Sequence, residues 1–216
     1  MPQNPFASLE DYIALPRIDA VALSPDGTRA VLTVATLNKD KTGYDRALWE
    51  VPATGGGTPR RLTRSAKGEQ GAAFTADGDL LFVSARPDTE GDGEDEAAQL
   101  WLLPANGGDA RAITRLAGGV SGIAAVADAA SVAVLAADLL PSADSLEADA
   151  KLRAERKKRK LSAILHTTYP VRYWDHDLGP AEPHLLSLDL DALAETIGSL
   201  AASDTAEDEP DATTPY

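Results

Sequence analysis

One short segment has part of the pattern that a catalytic serine requires. Serine hydrolases place their nucleophile in a Gly-x-Ser-x-Gly elbow, a strained turn between a strand and a helix. The sequence Gly119-Val120-Ser121-Gly122 is the nearest approach, and the full elbow is absent from the chain. Because this segment also falls in a turn of the repeat described below, we expect no catalytic role for Ser121.

The three histidines, His166, His176 and His184, lack the spacing of a helical zinc site, which is i, i+4 with an intervening glutamate. They could meet Asp175 or Asp177 in space, but a surface or packing role is favoured.

Zero cysteines exclude thiolate nucleophiles and cysteine-ligated metals. The Gly-Gly pairs suit hairpin turns and form no Walker or dinucleotide motif. We therefore predict no metal, no cofactor and no catalytic residue in this sequence.

The densest aromatic stretch is Tyr169-Pro170-Val171-Arg172-Tyr173-Trp174-Asp175. Within it, Arg172, Tyr173, Trp174 and Asp175 could form the wall of a ligand site, because rings beside an arginine stack on ligands and bind cations. Such rings also fasten an insertion to its sheet, and this packing role is favoured. These four residues are the one candidate ligand cluster that the sequence offers.

Two charged runs have the same pair of interpretations, a binding site or a solvated surface. Residues 88–96 contain six acids in nine positions and could hold calcium, but they lack the ligand order of a recognised loop. Residues 151–160 contain seven bases in ten positions, and such a run can bind phosphate groups or an acidic partner. In both cases we favour the solvated surface, with the basic run pairing with acidic surfaces of the same chain.

Composition limits the partners and the compartment. The 216 residues include 34 acids and 20 bases, and a net charge of −14 argues against a nucleic-acid partner. The chain is 44% hydrophobic and 25% charged, so it should fold over most of its length. No apolar run reaches the ~18 residues of a membrane helix, and residues 1–15 do not resemble a secretory signal. We expect a cytoplasmic protein without a membrane partner.

The sequence repeats itself at intervals of about 51 residues. Ser24-Pro25-Asp26-Gly27 recurs 51 residues later as Thr75-Ala76-Asp77-Gly78. Further landmarks keep the same order and nearly the same spacing: Leu48-Trp49 with Leu100-Trp101, Gly56-Gly57 with Gly107-Gly108, and residues 61–64 with 112–115. A third copy begins on schedule at Gly119. Four landmarks in one order indicate a repeat architecture.

Each unit is predicted to contain four short antiparallel strands. The Asp-Gly pairs are hairpin signals, and the β-branched runs 30–35 and 80–85 are typical of inner strands. The Leu-Trp pairs lie in the third strand, and residues 60–63 or 111–114 form the fourth. Four strands every ~40–50 residues are typical of a propeller blade, whereas β-sandwich modules need ~100 residues. The predicted fold is all-β, a partial β-propeller of about three four-stranded blades in an open arc.

The predicted domains follow the repeat. The third blade is interrupted by an insertion at about 139–183, which carries a helix over 145–161 with a basic end that suits the helix dipole. Residues 192–216 are acidic and are expected to be flexible. The segments are a helical lead-in (1–18), the first blade (19–67), the second blade (68–117), the third blade (118–191) and the tail (192–216).

These features together resemble the N-terminal propeller of prolyl-oligopeptidase-family serine peptidases, of the acylaminoacyl-peptidase and dipeptidyl-aminopeptidase type. The resemblance runs from Leu9 to Asp191. Before the first repeat, it is carried by Leu9-Glu10-Asp11-Tyr12 and Leu15-Pro16-Arg17-Ile18. Its most specific part is the insertion that ends in Tyr169–Asp175. In that family, a seven- or eight-bladed propeller caps a C-terminal α/β-hydrolase domain and filters the peptides that reach its Ser-Asp-His triad.

The chain departs from the family by holding about three blades and no hydrolase domain. The family's catalytic residues therefore have no positions in this sequence, and we expect no peptidase activity from the chain alone. We expect an N-terminal fragment of a serine exopeptidase or oligopeptidase, whose peptide substrate is bound through the missing hydrolase domain. Because propellers close with ~4–8 blades, two alternatives stay open. One is an interaction module completed by self-association through open blade edges or by a partner, and the other is a stand-alone ligand-binding propeller.

Overall fold

The computed structural model describes residue 4 and residues 6–87, 97–127, 131–166 and 169–192. In these ranges the chain forms two α-helices and thirteen β-strands. The helices are α1 (Leu9–Ala14) and α2 (Leu146–Lys158). The strands are β1 (Arg17–Leu23), β2 (Arg29–Leu37), β3 (Tyr44–Pro52), β4 (Arg60–Arg61), β5 (Glu69–Phe74), β6 (Leu80–Ser84), β7 (Gln99–Leu103), β8 (Arg111–Ala112), β9 (Gly122–Ala127), β10 (Val132–Leu139), β11 (Arg172–Tyr173), β12 (His176–Asp177) and β13 (Glu182–Asp189).

The first two units each form a four-stranded antiparallel sheet in chain order. The first sheet has the order β1-β2-β3-β4 and the second has the order β5-β6-β7-β8. The last strand is short in both, but the N–H of Leu62 donates to the carbonyl of Leu48 at 2.8 Å and extends the pairing. The N–H of Ile113 makes the same contact with Leu100 at 2.8 Å in the second sheet. This identity of hydrogen bonds shows that the two sheets are structural repeats.

The third unit forms a three-stranded sheet with the order β13-β10-β9. β10 and β13 pair over their whole length, from Val132 opposite Asp189 to Leu139 opposite Glu182. The 42 residues between them (140–181) contain α2 and the small antiparallel hairpin of β11 and β12. The repeat predicts four strands for this unit, whereas the described residues form three.

The Asp-Gly turn between β1 and β2 is fixed by the side chain of Asp26. Asp26 Oδ1 accepts from the Ser24 hydroxyl at 2.6 Å and from the Thr28 N–H at 3.0 Å, and Oδ2 accepts from the Thr28 hydroxyl at 2.8 Å. Gly27 has φ +72°, a left-handed conformation that glycine adopts without a Cβ clash. The hydrogen bonds, that of Ser24 first, lower the pKa of Asp26 from 3.8 to about 2.

Two apolar cores lie between successive sheets. Successive side chains of β6 point to opposite faces of the sheet, so alternate residues face the first sheet and the others face the third. The core between the first and second sheets contains Val31, Leu48, Phe74, Leu80, Phe82 and Trp101. The core between the second and third sheets contains Leu81, Val83, Leu100, Leu102, Val120, Ala133 and Leu135.

The predominantly β fold is confirmed, and it consists of several antiparallel sheets. The helix predicted over 145–161 is found at Leu146–Lys158. The acidic run 88–96 and the predicted tail beyond Ala192 lie outside the described residues. No helix in the described part of the chain is both long and apolar enough to cross a membrane.

Truncation of Phe82 should test the first core. Its ring is completely buried between the first two sheets, so Phe82→Ala removes apolar contacts and leaves a cavity. We expect the free energy of unfolding to fall by about 3–5 kcal/mol, measured by urea denaturation. Lys39→Ala, at an exposed turn position, is the control and should change it by less than about 0.5 kcal/mol. A loss below about 1 kcal/mol at Phe82 would contradict the assignment of this core.

The Asp26 network should make stability depend on acid. Because the folded pKa of Asp26 is about 2 and the reference value is 3.8, the network stabilises the folded chain fully above pH 4. This contribution is lost as the pH falls through the folded pKa. Between pH 4 and pH 2, the free energy of unfolding should therefore fall more steeply in the wild type than in Asp26→Asn, as measured by urea denaturation at each pH. Equal slopes for the two proteins would show that the network has no such effect.

Candidate functional site

Three long connections begin and end at one edge of the stacked sheets. They join β2 to β3, β6 to β7 and β10 to β13, and their lengths are six (38–43), 14 (85–98) and 42 residues (140–181). The opposite edge carries the Asp-Gly turns, where Arg29 Nη1 donates to the carbonyl of Gly78 at 3.3 Å and joins the first two sheets. We call the edge with the long connections the connection edge, and it is where variable loops could form a site.

A buried ion pair of the second unit lies at the connection edge, and its carboxylate also accepts hydrogen bonds from the segment that follows the first sheet. Glu69 is completely buried, and its Oε1 accepts from Arg86 Nη2 at 2.8 Å and from the Ser65 N–H at 3.0 Å. Its Oε2 accepts from the Thr63 hydroxyl at 2.7 Å. The guanidinium of Arg86 also lies 4.9 Å from the Trp101 ring centroid. With both carboxylate oxygens satisfied by hydrogen bonds, Glu69 is a structural group that holds two sheets together.

A cavity of about 250 Å³ opens beside this ion pair. Its wall includes Tyr44, whose hydroxyl donates to the carbonyl of Ile13 at 2.8 Å, and Ser84, whose hydroxyl donates to the carbonyl of Gly68 at 2.9 Å. These hydroxyls are committed to the backbone. These two hydroxyls therefore serve to fix the surrounding loops.

A larger groove of about 480 Å³ lies where the insertion meets the ends of β10 and β13. Its lining combines apolar side chains with three carboxylates and one histidine. It includes Asp138, Pro141, Ile164, Leu165, His166, Pro170, Tyr173, Asp177, Leu178, Glu182 and Pro183. The described lining contains no serine, lysine or cysteine, so the groove offers acceptors and apolar contacts for binding but no nucleophile of these kinds. It can bind a ligand that is partly apolar and carries N–H donors or positive charge.

The four residues of the predicted ligand cluster are divided by the structure. Arg172 and Tyr173 form β11, and Arg172 Nε lies 3.6 Å from Asp177 Oδ1 across the hairpin. Tyr173 lines the groove. Trp174 and Asp175 form the turn, and the Trp174 side chain is fully exposed. The turn leaves the Trp174 ring fully exposed, and the choice between a ligand wall and a packing role for this stretch stays a prediction.

Other candidates from the sequence occupy separate places. The backbone N–H of Ser121 donates to the carbonyl of Ala136 at 2.8 Å, next to β9. His184 lies on β13, with Nδ1 2.9 Å from the carbonyl oxygen of Glu182, and His166 lines the groove. Across the described ranges, no group of three or more histidines or carboxylates is arranged to hold a metal ion.

Asp149 anchors helix α2 to the third sheet. It is buried, and its Oδ1 accepts from the N–H of Leu140 at 2.8 Å. Arg153 Nε donates to Asp149 Oδ2 at 2.7 Å, and Arg153 Nη2 donates to the carbonyl of Asp138 at 2.6 Å. The basic end of the helix is more exposed, and Arg159 pairs with Glu155 one turn earlier at 3.2 Å. The anchor fixes the start of the insertion beside the groove.

Comparisons with known proteins relate the chain to peptidases. No model of a known protein family matches it. It is 34% identical over 114 residues to the uncharacterized peptidase YuxL of Bacillus subtilis (strain 168), a match to 52% of this chain and 16% of that protein. It also matches the structure of the Pyrococcus horikoshii acylaminoacyl peptidase with a TM-score of 0.56 and 8% identity, over 84% of this chain and 24% of that one. The sequence is thus similar to part of a peptidase, and the fold is shared with part of another.

Removal of the Asp149 carboxylate should loosen the insertion. Asp149→Ala leaves the Leu140 N–H and Arg153 Nε without their acceptor, and the buried Leu140 N–H left unpaired costs about 1–3 kcal/mol. We expect faster amide hydrogen exchange in α2 and in 140–144, with the exchange of β6 unchanged. Glu147→Ala, at an exposed position of the same helix, is the matched control and should leave the exchange of 140–144 unchanged. Equal exchange in the two variants would show that Asp149 is not an anchor.

Proposed function

We propose that this chain is the N-terminal propeller region of a serine peptidase of the prolyl-oligopeptidase family, and that it acts as a lid and substrate filter. The observation that carries this proposal is the stack of consecutive antiparallel sheets whose fold matches part of an acylaminoacyl peptidase. The 34% identity to part of a peptidase supports the same assignment from sequence. The chain spans only 16% of the length of that relative, so catalysis is assigned to a hydrolase domain that these residues do not contain.

The packing of the sheets supports a propeller. In a propeller, the first strand of each blade lies nearest the central axis, and the faces of neighbouring blades pack together. Here β1 contacts β5, and β5 contacts β9, so the first strands of the three sheets lie side by side. The two apolar cores lie between the faces of successive sheets. This packing supports the proposal that each sheet is a blade.

The connection edge supports the filter role. The insertion contributes a groove with apolar walls and three carboxylates, which suits the N–H groups and apolar side chains of a peptide. The sequence has no Gly-x-Ser-x-Gly elbow to supply a nucleophile, so this surface would select peptides and not cleave them. Under this proposal, peptides contact the groove before they reach the catalytic centre of the complete protein.

An activity assay tests whether the chain alone lacks peptidase activity, as the filter role requires. The purified chain should not hydrolyse chromogenic acyl-amino-acid or dipeptide substrates, because no complete set of nucleophile, base and oxyanion hole is present. Ser121→Ala is the control that separates intrinsic activity from a contaminant. Hydrolysis that is abolished by a serine-directed inhibitor and by Ser121→Ala would overturn the proposal.

A chimera tests the filter itself. The 114-residue segment of the Bacillus peptidase that matches this chain is replaced by the corresponding segment of this chain. Cleavage of a mixture of short and long peptides is then followed by mass spectrometry, with the unmodified Bacillus protein as reference. We expect the chimera to remain active and to change the ratio of short to long peptides cleaved. A folded, active chimera with an unchanged ratio would count against a filter role.

A further inference from the structure

The groove beside the insertion is formed by one continuous segment of the chain. Every residue of its lining lies between Asp138 and Pro183, so the first two sheets contribute nothing to it. Its volume of about 480 Å³ is within the ~300–1,000 Å³ that ligand sites have. The groove therefore has the size of a ligand site and is built by the third unit alone.

The walls of the groove are apolar and restricted in shape. Ile164, Leu165 and Leu178 supply aliphatic surface, and Leu165 is 88% exposed. The same lining contains four prolines, namely Pro141, Pro170, Pro180 and Pro183. Because a proline ring fixes φ, these residues restrict the backbone that surrounds the groove. A site whose backbone is restricted in this way loses less conformational entropy when a ligand binds.

The formal charge of the lining is negative. Asp138, Asp177 and Glu182 supply three carboxylates, and the described lining contains no lysine and no arginine. Arg172 lies 3.6 Å from Asp177 across the hairpin and balances that carboxylate in part. Arg153 donates to the backbone carbonyl of Asp138, but its own charge is paired within helix α2. Two exposed carboxylates, at the facing ends of β10 and β13, are thus left without a salt bridge in the described part of the chain.

Apolar walls next to carboxylates fit a basic side chain. Lysine and arginine have a long aliphatic stem that packs on apolar surface, while the charged head group needs hydrogen-bond acceptors. The groove offers aliphatic walls for the stem and carboxylates for the head group, and the ring of Tyr173 is a further group that attracts cations. A peptide N-terminus carries the same charge but lacks the stem, so it would use the carboxylates and leave the walls empty.

We propose that the groove binds a lysine or arginine side chain of a peptide, and that Asp138 and Glu182 determine this specificity. The inference rests on the proposed function, because it names the class of peptide that the filter admits. Asp177 has a smaller part, since Arg172 already balances its charge. Between two peptides of equal length, the filter therefore favours the one with a basic residue.

Fluorescence anisotropy on the 216-residue chain tests the proposal with labelled peptides whose two termini are blocked. The probes are Ala-Leu-Lys-Leu-Ala and the same peptide with norleucine in place of lysine, which keeps the aliphatic stem and removes the charge. We expect the lysine peptide to bind about 10-fold more tightly, because charge-assisted hydrogen bonds are stronger than neutral contacts. This difference should shrink as salt is added, since exposed charges are screened.

Variants of the groove test which residues read the charge. Asp138→Asn and Glu182→Gln should each weaken binding of the lysine peptide by about 2- to 5-fold, and the norleucine peptide should be unaffected. Glu147→Gln, at an exposed position of helix α2 outside the groove, is the matched control and should bind both peptides as the wild type does. Leu165→Ser removes part of the apolar wall and should weaken both peptides. All four side chains are exposed, and circular dichroism checks that each variant is folded.

Carbodiimide cross-linking locates the head group without any substitution. The reagent joins a lysine amine to a nearby carboxylate as an amide, and mass spectrometry then identifies the modified residue. In the wild type with the blocked lysine peptide, we expect the amide at Asp138, Asp177 or Glu182. An amide found mainly at Glu147 or at other acids outside the groove would contradict the proposal.

The outcomes of these experiments separate the inference from the proposed function. Equal affinity for the lysine and norleucine peptides would overturn the basic specificity and leave the filter role standing. An equal loss of affinity in Glu147→Gln and Asp138→Asn would do the same, because it would assign the preference to the net charge of the chain. Tighter binding of the norleucine peptide with a free N-terminus than of the blocked lysine peptide would also overturn it. Failure of every peptide to bind would count against both the inference and the filter role.

Discussion

The structure depends on the burial of one sheet from both sides. All five side chains of β6 are buried, and the four apolar ones alternate between two separate cores. Leu81 and Val83 pack towards the third sheet, and Leu80 and Phe82 pack towards the first. Because apolar burial is the main favourable term in folding, this strand does more than any other described strand to hold the three sheets in one stack.

Polar contacts fix the position of the first sheet relative to the second. The ion pair of Glu69 and Arg86 lies at the connection edge, and the contact of Arg29 with Gly78 lies at the opposite edge. A buried carboxylate that is held by three donors tolerates little displacement, so the first two sheets cannot slide past each other without leaving Glu69 unsatisfied. The apolar cores stabilise the stack, and these polar contacts fix how the two sheets are aligned on each other.

Much of the fold can be predicted from the sequence because the repeat marks strands and turns locally. The Asp-Gly pairs identify the first hairpins, and the β-branched runs identify β2 and β6. Register is harder to predict. Trp49 and Trp101 are displaced by 52 residues and Leu32 and Phe82 by 50, because the second hairpins of the two sheets differ in strand and loop length. Only the pairing of the strands shows that these four residues correspond.

The groove could be predicted only in part. Tyr173 stands out because it lies in a dense aromatic stretch, but Asp138 and Glu182 are contributed by the facing ends of β10 and β13. Those ends are separated by the whole insertion, and nothing in the local sequence marks them as neighbours. Their approach follows from strand pairing across the insertion, which a local pattern does not record.

The two tryptophans of the repeat show how neighbours alter equivalent positions. Trp101 is buried and donates its indole N–H to the carbonyl of Ser84 at 3.2 Å, whereas Trp49 is only half-buried on an outer face. Among the described sheets, the second is stabilised by a packed neighbour on each face, so the same strand position contributes more to stability there than in the first sheet.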